Sequence, residues 1–347
     1  MKIRALVTGM GGAAGISFLR AATAERPAAP GVGPLEVEVV AADMDAYAAG
    51  LYLVPEERRV LVPKAEEPGF VPSLLEACAK HGIDVLVPTV DAELLPLARS
   101  TAAFAAQGTR LLMPGATTLE TCLDKLLLAR TLARHIPVPR TEIFLETFAA
   151  SGWSFPLVVK PRTGSGSRGV RVVRGPEELS RLPRGKEWLV QEYLSGAEYS
   201  VDVLADRQGR VLSEVPRERL KVDSGVAVAG RTILDEELQT LARKVCRVIG
   251  LEYVANVQFR KDGQGLPKLL EVNPRFPGTM PLTVAAGVDM PWLALLLALS
   301  LPVPSRVEPA EVAMVRTWQE HFVAPGAIRR LEVSTATSHP APLAGVA

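Results

Sequence analysis

Apolar positions recur with two different spacings along the first third of the chain, and this pattern predicts strands that alternate with helices. Apolar, β-branched runs predict strands at residues 2–9, 36–45, 58–65, 83–91 and 109–115. Apolar residues at helical spacing predict helices at residues 14–25, 70–82 and 92–107. The alternation predicts a parallel sheet covered by helices, in a Rossmann-like domain over residues 1–115.

The rest of the chain has a different pattern. Leu and Ala predict one helix over residues 117–136, ended by Pro137 and Pro139, and residues 116–140 are interpreted as this helix and a linker. A small α/β unit is predicted for residues 141–195, and antiparallel strands with helices for residues 196–333. Residues 334–347 are polar and small, which predicts a disordered tail. The predicted fold class is α/β, with α+β character in the C-terminal part.

Composition excludes several classes of partner. A net charge of +1 gives no electrostatic reason to expect a nucleic-acid or membrane partner. Cys78, Cys122 and Cys246 lie far apart, as expected for reduced core residues. The N-terminus lacks the apolar stretch of a secretory signal, and the apolar run at residues 292–301 is about half the length that spans a bilayer. We therefore expect a cytoplasmic protein.

A glycine-rich stretch, VVKPRTGSGSRGV, occupies residues 158–170 and contains the pattern G-x-G-x-x-G. A strand precedes it, but alternating Val and Arg residues follow, so the unit is predicted to be a β-hairpin and not a strand–helix dinucleotide motif. Its backbone amides could fold over phosphates as a flap, with Lys160 adding a charge. A mobile loop without a ligand is the alternative.

Oxygen-bearing side chains are predicted to meet on two neighbouring strands near residues 255–278. Glu271 and Asn273 share one face of a strand, because successive side chains alternate, and Gln258 lies on the preceding strand. Hard oxygen ligands of this kind suit Mg²⁺. Arg275 projects the same way and could meet a phosphoryl group. A solvent-facing strand pair is the alternative.

A second glycine turn, at residues 9–15, follows the first strand and opens a helix, with Asp43 and Asp45 ending the next strand. This arrangement is typical of dinucleotide-binding folds, so a NAD(P)-dependent oxidoreductase is a rival hypothesis. Asp91 and Glu93, just past a strand end, are candidate substrate contacts. Helix capping by Asp91 is the alternative.

These motifs together resemble the ATP-grasp superfamily. The resemblance rests on Lys125 in CLDK, Lys160 in VVKP, the glycine-rich hairpin, the stretch VQEYLSGAEYSVDV and the stretch LLEVNPR, in this order. The nearest group is similar to the carbamoyl phosphate synthase large subunit, and the match covers roughly residues 1–305. It implies an ATP-grasp fold whose lid subdomain spans residues 141–195 and whose metal-binding subdomain spans residues 196–333.

The resemblance also implies roles for individual residues. Lys125 and Lys160 match the positions that contact ATP phosphates, residues 163–169 match the flap tip, and Glu198 matches a ribose-binding carboxylate. Residues 191–194 match the connection that holds adenine, with Glu192 and the backbone of Leu194 as the expected partners. The implied nucleotide-binding residues are Lys125, Lys160, Gly164, Ser165, Gly166, Ser167, Gly169, Gln191, Glu192, Leu194 and Glu198. Gln258, Glu271 and Asn273 match the Mg²⁺ ligands, which could also hold Mn²⁺. Most of the superfamily has a carboxylate where Gln258 stands.

The implied activity is ATP-dependent ligation of a small carboxylic acid to an amine, through an acylphosphate, with release of ADP and phosphate. Catalytic roles are expected for Lys160 and Arg275, and for Arg217 and Arg231 among the four cations Arg217, Arg219, Lys221 and Arg231. A solvent-exposed strand face is the alternative for these four cations. Alternatives are a carbamoyl phosphate synthase-like kinase or carboxylating activity and a non-catalytic ATP-binding module. Carbamoyl phosphate synthesis itself is not expected from a single unit. The class allows a homodimer.

Overall fold

The computed structural model describes residues 2–26, 35–164, 166–223 and 226–338. Its contacts group into two units. The chain through Leu111, together with the segment from Thr317 onward, forms the first unit, and Leu112–Arg316 forms the second. The sequence-based boundary at residue 333 therefore differs from this grouping, since residues 317–333 go with the first unit.

The first unit contains a five-stranded parallel sheet, as predicted. Its strands are β1 (Lys2–Val7), β2 (Glu36–Asp43), β3 (Arg59–Leu61), β4 (Val85–Val87) and β5 (Arg110–Leu111), in the order β3-β2-β1-β4-β5. This order is that of a doubly wound fold. The helices are α1 (Ala13–Ala22), α2 (Phe70–His81), α3 (Asp91–Arg99), α4 (Thr101–Ala106) and a last helix at Pro325–Ser338, with short 3₁₀ turns at Ala49–Leu53 and Glu56–Arg58.

The last helix overlaps the segment whose composition predicts a disordered tail. Residues 334–338 of that segment are helical, and residues 339–347 lie outside the described residues.

The second unit contains two antiparallel sheets. The smaller one, which we call the lid sheet, consists of β6 (Thr141–Ile143), β7 (Leu157–Pro161), β8 (Arg171–Val173) and β9 (Trp188–Glu192), in the order β6-β9-β7-β8. The pairing of β7 with β8 confirms the glycine-tipped hairpin. Phe144, Val159 and Val190 are buried in its apolar core, and helix α7 (Pro176–Ser180) follows β8.

The larger sheet, which we call the core sheet, has the order β14-β13-β10-β11-β12-β15. Its strands are β10 (Glu198–Ala205), β11 (Val211–Asp223), β12 (Val226–Thr232), β13 (Tyr253–Lys261), β14 (Pro267–Asn273) and β15 (Ala313–Val315). The helices of this unit are α5 (Ala116–Leu123), α6 (Lys125–Leu132), α8 (Glu236–Ile249), α9 (Met280–Ala285) and α10 (Met290–Ala298).

Alternation along the core strands separates an apolar face from a polar face. Val201, Val257 and Val272 are buried in one cluster with Leu132 of α6 and Leu241 of α8. Neighbouring positions in the sequence therefore point to the opposite face. Polar residues occupy that face, and they include most of the candidate site.

The single helix predicted for residues 117–136 is wrong, because the chain breaks at Asp124. Asp124 has an extended backbone, and its carboxylate accepts hydrogen bonds from the amides of Leu126 and Leu127, so it caps α6. The Leu- and Ala-rich pattern runs through this break without interruption, and it therefore hides the start of the second helix.

Candidate active site

The flap is the connection between β7 and β8. Gly164 and Gly166 have φ values of 105° and 70°, in the left-handed region that favours glycine. At Gly169, φ is 74°, and a Cβ atom would lie 2.9 Å from Cγ of Pro161. A side chain at Gly169 would thus be strained by its own backbone and would meet the incoming strand. Ser165, which the resemblance implies to be a nucleotide-binding residue of this loop, lies outside the described residues.

Lys160 and Lys125 both line the cavity beneath the flap. Lys160 is 6% exposed, and its burial lowers the pKa of its ammonium group to about 8; the charge of Glu271 opposes this effect and that of Lys125 adds to it. The ammonium group of Lys125 donates to the carbonyl oxygen of Gly164 at 2.5 Å. Two cations and the glycine loop therefore line the same cavity, and one of these cations, Lys125, contacts the loop.

Lys125 is placed by the helix break. Asp124 pairs with the guanidinium of Arg162 at 2.6 Å, and the backbone amide of Lys125 donates to the carbonyl of Arg162 at 3.0 Å. The beginning of α6 is thereby fixed to the residue that follows β7. This pair holds the two lysines of the cavity close to each other in the fold, and sequence spacing alone does not indicate it.

Gln191, Glu192 and Leu194, the predicted adenine contacts, also line this cavity. The polar side chains are engaged within the protein. The amide of Gln191 donates to the hydroxyl of Thr141 at 2.7 Å, and the carboxylate of Glu192 accepts from Lys268 at 2.7 Å and from the backbone amide of Arg140 at 3.1 Å. The side chain of Glu192 is thus held in place by β14 and by the start of the lid sheet.

Glu198, the predicted ribose contact, lies in the same cavity beside two arginines. It forms an ion pair with Arg219 and a longer one with Arg260, at 3.9 Å. Arg260 is not among the candidates from the sequence. It stands two residues after Gln258 on β13, so strand alternation could have placed it on the same face.

Gln258, Glu271 and Asn273 are brought together as the alternation argument expects. Gln258 of β13 lies opposite Glu271 of β14, and Asn256 lies opposite Asn273. A bulge follows, since Phe259 pairs with Leu269 and leaves one extra residue on β14. That extra residue, Leu270, lines the cavity together with Glu271.

This oxygen-rich group fits Mg²⁺ by the chemistry of its donors. It offers one carboxylate and two amide oxygens, all hard ligands that leave room for water and phosphate oxygens. Among the described residues, no cluster of three or more His, Cys, Asp or Glu side chains could hold a metal ion. Nδ2 of Asn273 donates to the carboxylate of Glu271 at 3.2 Å, so Oδ1 of Asn273 is the end of the amide that faces away from Glu271.

A second cavity adjoins the first and shares Gly166, Arg219, Gln258 and Glu271 with it. The two cavities measure about 210 Å³ and 170 Å³. The remaining lining of the second is polar or small, and it comprises Ser200, Arg217, Ala227, Asn256, Asn273, Arg275, Pro277, Gly278 and Thr279. The group around Glu271 therefore stands where two binding spaces meet.

The predicted arginines divide into two groups. Arg275 and Arg217 line the second cavity, and Arg217 is buried and bonded to Asp202 and to Thr279. Arg231 lines neither of these two cavities. It lies opposite Glu218 on β11 and pairs with it at 2.7 Å, so it belongs to the face opposite Arg217. Arg231 lies outside the site because it pairs with Glu218, which is one position after Arg217 and points to the other face of the sheet.

The glycine turn of the first unit is closed by its own residues. Asp43 accepts from the amides of Gly11 at 2.6 Å and Asp45 at 3.0 Å. The amide of Gly50 donates to the carbonyl of Met10, and a Cβ atom at Gly50 would lie 2.3 Å from that oxygen. Each oxygen of the carboxylate that a dinucleotide ribose would use therefore accepts one hydrogen bond from the backbone of this unit.

Glu93, a candidate substrate contact, is buried and accepts a hydrogen bond from the hydroxyl of Thr8. Burial raises the pKa of its carboxyl group to about 7. Asp91 is the first residue of α3, and the capping position belongs to Val90, so Asp91 is not the N-cap residue.

Across the described part of the chain, none of the helices is sufficiently long and apolar to cross a bilayer.

Two family models match the chain. Residues 31–112 match a model described as PylC-like, N-terminal domain. Residues 184–321 match a model described as ATP-grasp in the biosynthetic pathway with Ter operon, and this range includes the core sheet with Gln258, Glu271 and Asn273. The chain contains an ATP-grasp domain. The resemblance drawn from the sequence motifs is thereby confirmed.

Relatives of the ATP-grasp domain are larger proteins. The carbamoyl phosphate synthase large chain of Thermoanaerobacter sp. (strain X514) is 28% identical over 162 residues, which are 42% of this chain and 15% of that protein. Carnosine synthase 1 of Gallus gallus is 29% identical over 196 residues, which are 47% of this chain and 21% of that protein. The chain therefore spans about a fifth or less of these two relatives.

Solved structures confirm the predicted ATP-grasp fold class. The structure of a biotin carboxylase–beta-gamma-ATP complex from Campylobacter jejuni matches with a TM-score of 0.68 and 18% identity. The match covers 87% of this chain and 72% of that one. At this level of identity the likeness concerns the fold.

Proposed function

We propose that this protein is an ATP-dependent ligase that joins a small carboxylic acid to an amine. The observation that carries the proposal is the meeting of two cavities at Glu271 and Gln258. One cavity has lysines beneath a glycine flap, which suits the phosphates of ATP, and the other is lined by arginines, which suit a carboxylate. A phosphoryl group can pass from one ligand to the other where the cavities join.

Different residues of the nucleotide cavity would contact the phosphates, the adenine ring and the metal ion. Lys160 and Lys125 stabilise the negative charge of the phosphates, and the amides of the glycine flap cover them. Apolar side chains, including Val158, Leu194 and Leu270, offer a surface for the adenine ring. Gln258, Glu271 and Asn273 would hold Mg²⁺, which supplies charge neutralisation between phosphate groups when it is bound.

The second cavity supports an anionic acceptor. Arg275 and Arg219 line it, and Nε of the buried Arg217 has no hydrogen-bond acceptor within the described part of the protein. In the proposed reaction an oxygen of the bound carboxylate attacks the γ-phosphorus, and ADP leaves. The amine nitrogen then attacks the carbonyl carbon of the acylphosphate, phosphate leaves with the former carboxylate oxygen, and the nitrogen loses a proton.

Other proposals predict different requirements. An activity like that of carbamoyl phosphate synthase would use a carboxylate as small as bicarbonate, and a non-catalytic module would bind ATP without turnover. An NAD(P)-dependent oxidoreductase would need Asp43, whose two oxygens are bonded to the turn beside it. A homodimer and the use of Mn²⁺ in place of Mg²⁺ belong to the same proposal and rest on the resemblance, whereas a cytoplasmic location rests on the cysteines and on the sequence of the N-terminal segment.

The test is a coupled assay for ADP with ATP, Mg²⁺, pooled carboxylic acids that lack an amine and pooled amines that lack a carboxylate. We expect ADP and phosphate to appear only when an acid and an amine are both present, and hydroxylamine to trap the activated acid as a hydroxamate. ADP formation with bicarbonate alone would favour the carboxylating alternative. Glu271→Ala should abolish turnover while leaving thermal unfolding unchanged, and full activity of this variant would contradict the proposal.

A further inference from the structure

A buried polar network borders the second cavity and centres on Asp202, a residue that has no part in the proposed reaction. Asp202 of β10 is fully buried and accepts from Arg217, from the hydroxyl of Thr283 at 2.5 Å and from Nδ2 of Asn256 at 2.7 Å. Asn256 faces it directly across the β10–β13 pair. A buried polar group without a partner is costly, so the hydrogen bonds that Asp202 accepts fix the orientation of the groups that donate them.

The orientation of one amide in this network determines the next. A carboxylate has no hydrogen to donate, so Asn256 must turn its NH₂ group toward Asp202 and its Oδ1 away from it. Oδ1 of Asn256 accepts from Nε2 of Gln258 at 3.2 Å. Gln258 must therefore present its NH₂ group to Asn256, and its Oε1 is left for the cavity side.

We propose that Asp202 and Asn256 are positioning residues that make Gln258 a metal ligand by fixing which end of its amide faces the cavities. An amide with its nitrogen turned toward a cation would repel it, whereas the oxygen binds. Two successive hydrogen bonds, from Asn256 to Asp202 and from Gln258 to Asn256, thus determine which end of the Gln258 amide belongs to the oxygen-rich group. This inference rests on the proposed metal site, and it explains how a neutral side chain serves where a carboxylate is usual.

Affinity for Mn²⁺ in the presence of ADP, measured from the electron paramagnetic resonance signal of free Mn²⁺, tests the inference without turnover. Asn256→Leu keeps the volume but releases the amide of Gln258, and we expect it to weaken Mn²⁺ binding about tenfold. Gln258→Leu should weaken binding at least as much. Because Asn256 acts through Gln258, the double variant should bind Mn²⁺ as Gln258→Leu does.

Several results would overturn this assignment. Agreement of Asn256→Leu with the wild type within twofold would show that the network is only structural. If the double variant loses Mn²⁺ affinity by the product of the two single-variant factors, then Asn256 acts independently of Gln258. Absence of ADP-dependent Mn²⁺ binding in the wild type would contradict the metal site and the proposed function together.

A second variant decides the question if Asn256→Leu does not fold. Gln258→Glu adds a negative charge at the site and leaves the buried residues unchanged. Charge alone predicts tighter Mn²⁺ binding, but the fixed Oδ1 of Asn256 would face a carboxylate oxygen in this variant. We therefore expect no gain in Mn²⁺ affinity, and a gain of more than twofold would contradict the proposal.

Discussion

Lys268 of the core sheet donates to the carboxylate of Glu192 at the end of the lid sheet, over a distance of 2.7 Å. The same lysine lies 3.5 Å from Asp262, and Glu192 also accepts from the backbone of Arg140. The segment proposed to hold adenine is thus attached to both sheets of the second unit. In the proposed function, the Glu192 side chain positions this segment and the neighbouring backbone contacts the base.

Lys268→Met should raise KM for ATP by about threefold to tenfold, because a charge-assisted hydrogen bond that orders the segment is lost. The turnover number should change less, since the reacting groups are untouched. Steady-state kinetics with varied ATP measures both. Lys244→Met on α8 removes an exposed lysine and serves as the matched control. An equal rise in KM for the control would contradict this role.

The lowered pKa of Lys160 predicts a pH dependence of ATP capture. Lys160 carries its charge below about pH 8 and loses it above, so kcat/KM for ATP should fall as pH rises through about 8. Lys160→Arg keeps a charge at all of these pH values. This variant should lack the alkaline decrease, even if its overall rate is lower. A decrease at the same pH in Lys160→Arg would assign it to another group.

Arg275 and Arg231 provide a contrast between a cavity arginine and one outside it. Arg275→Ala should lower kcat by about 10²-fold, the typical cost of removing a donor that stabilises developing charge. Arg231→Ala removes only an exposed ion pair with Glu218, so its activity should stay within about twofold of the wild type. ADP formation under saturating substrates measures both variants. Loss of activity in Arg231→Ala would support the catalytic role that the sequence predicts for this arginine.

Gly169→Ala should destabilise the flap, because the left-handed backbone at this position costs roughly 1–2 kcal/mol with a side chain, and Pro161 lies too close. We expect a higher KM for ATP and a lower melting temperature. Gly175→Ala is the matched control. Gly175 has extended backbone, and no other atom lies within 4 Å of the place that a Cβ atom would take there. Equal behaviour of the two variants would show that Gly169 is not required.

Much of the fold is predictable because its periodicities are strong. The parallel sheet, the glycine-tipped hairpin and the pairing of Gln258 with Glu271 all follow from alternation and turn residues. The same rule would have revealed Asn256 and Arg260, which stand two positions before and after Gln258. Lys125 and Glu198 follow from resemblance, since no local pattern distinguishes them.

Other features depend on contacts between distant residues. The break at Asp124 depends on Arg162, 38 positions later, and the position of Arg231 depends on strand register. The engagement of Glu192 by Lys268 joins residues 76 positions apart. Such pairings are set by tertiary packing, and sequence spacing does not determine them.

The extra residue on β14 has a consequence for ligand discrimination. Leu270 and Glu271 are adjacent in the sequence and both line the cavity proposed for the nucleotide. A single ligand there would meet the apolar side chain of Leu270 beside the carboxylate of Glu271. A ligand that fills this part of the cavity would therefore place an apolar portion next to a cation, or next to an anionic group that carries a bound cation. A compound with only one of these two characters would gain only part of the available contacts.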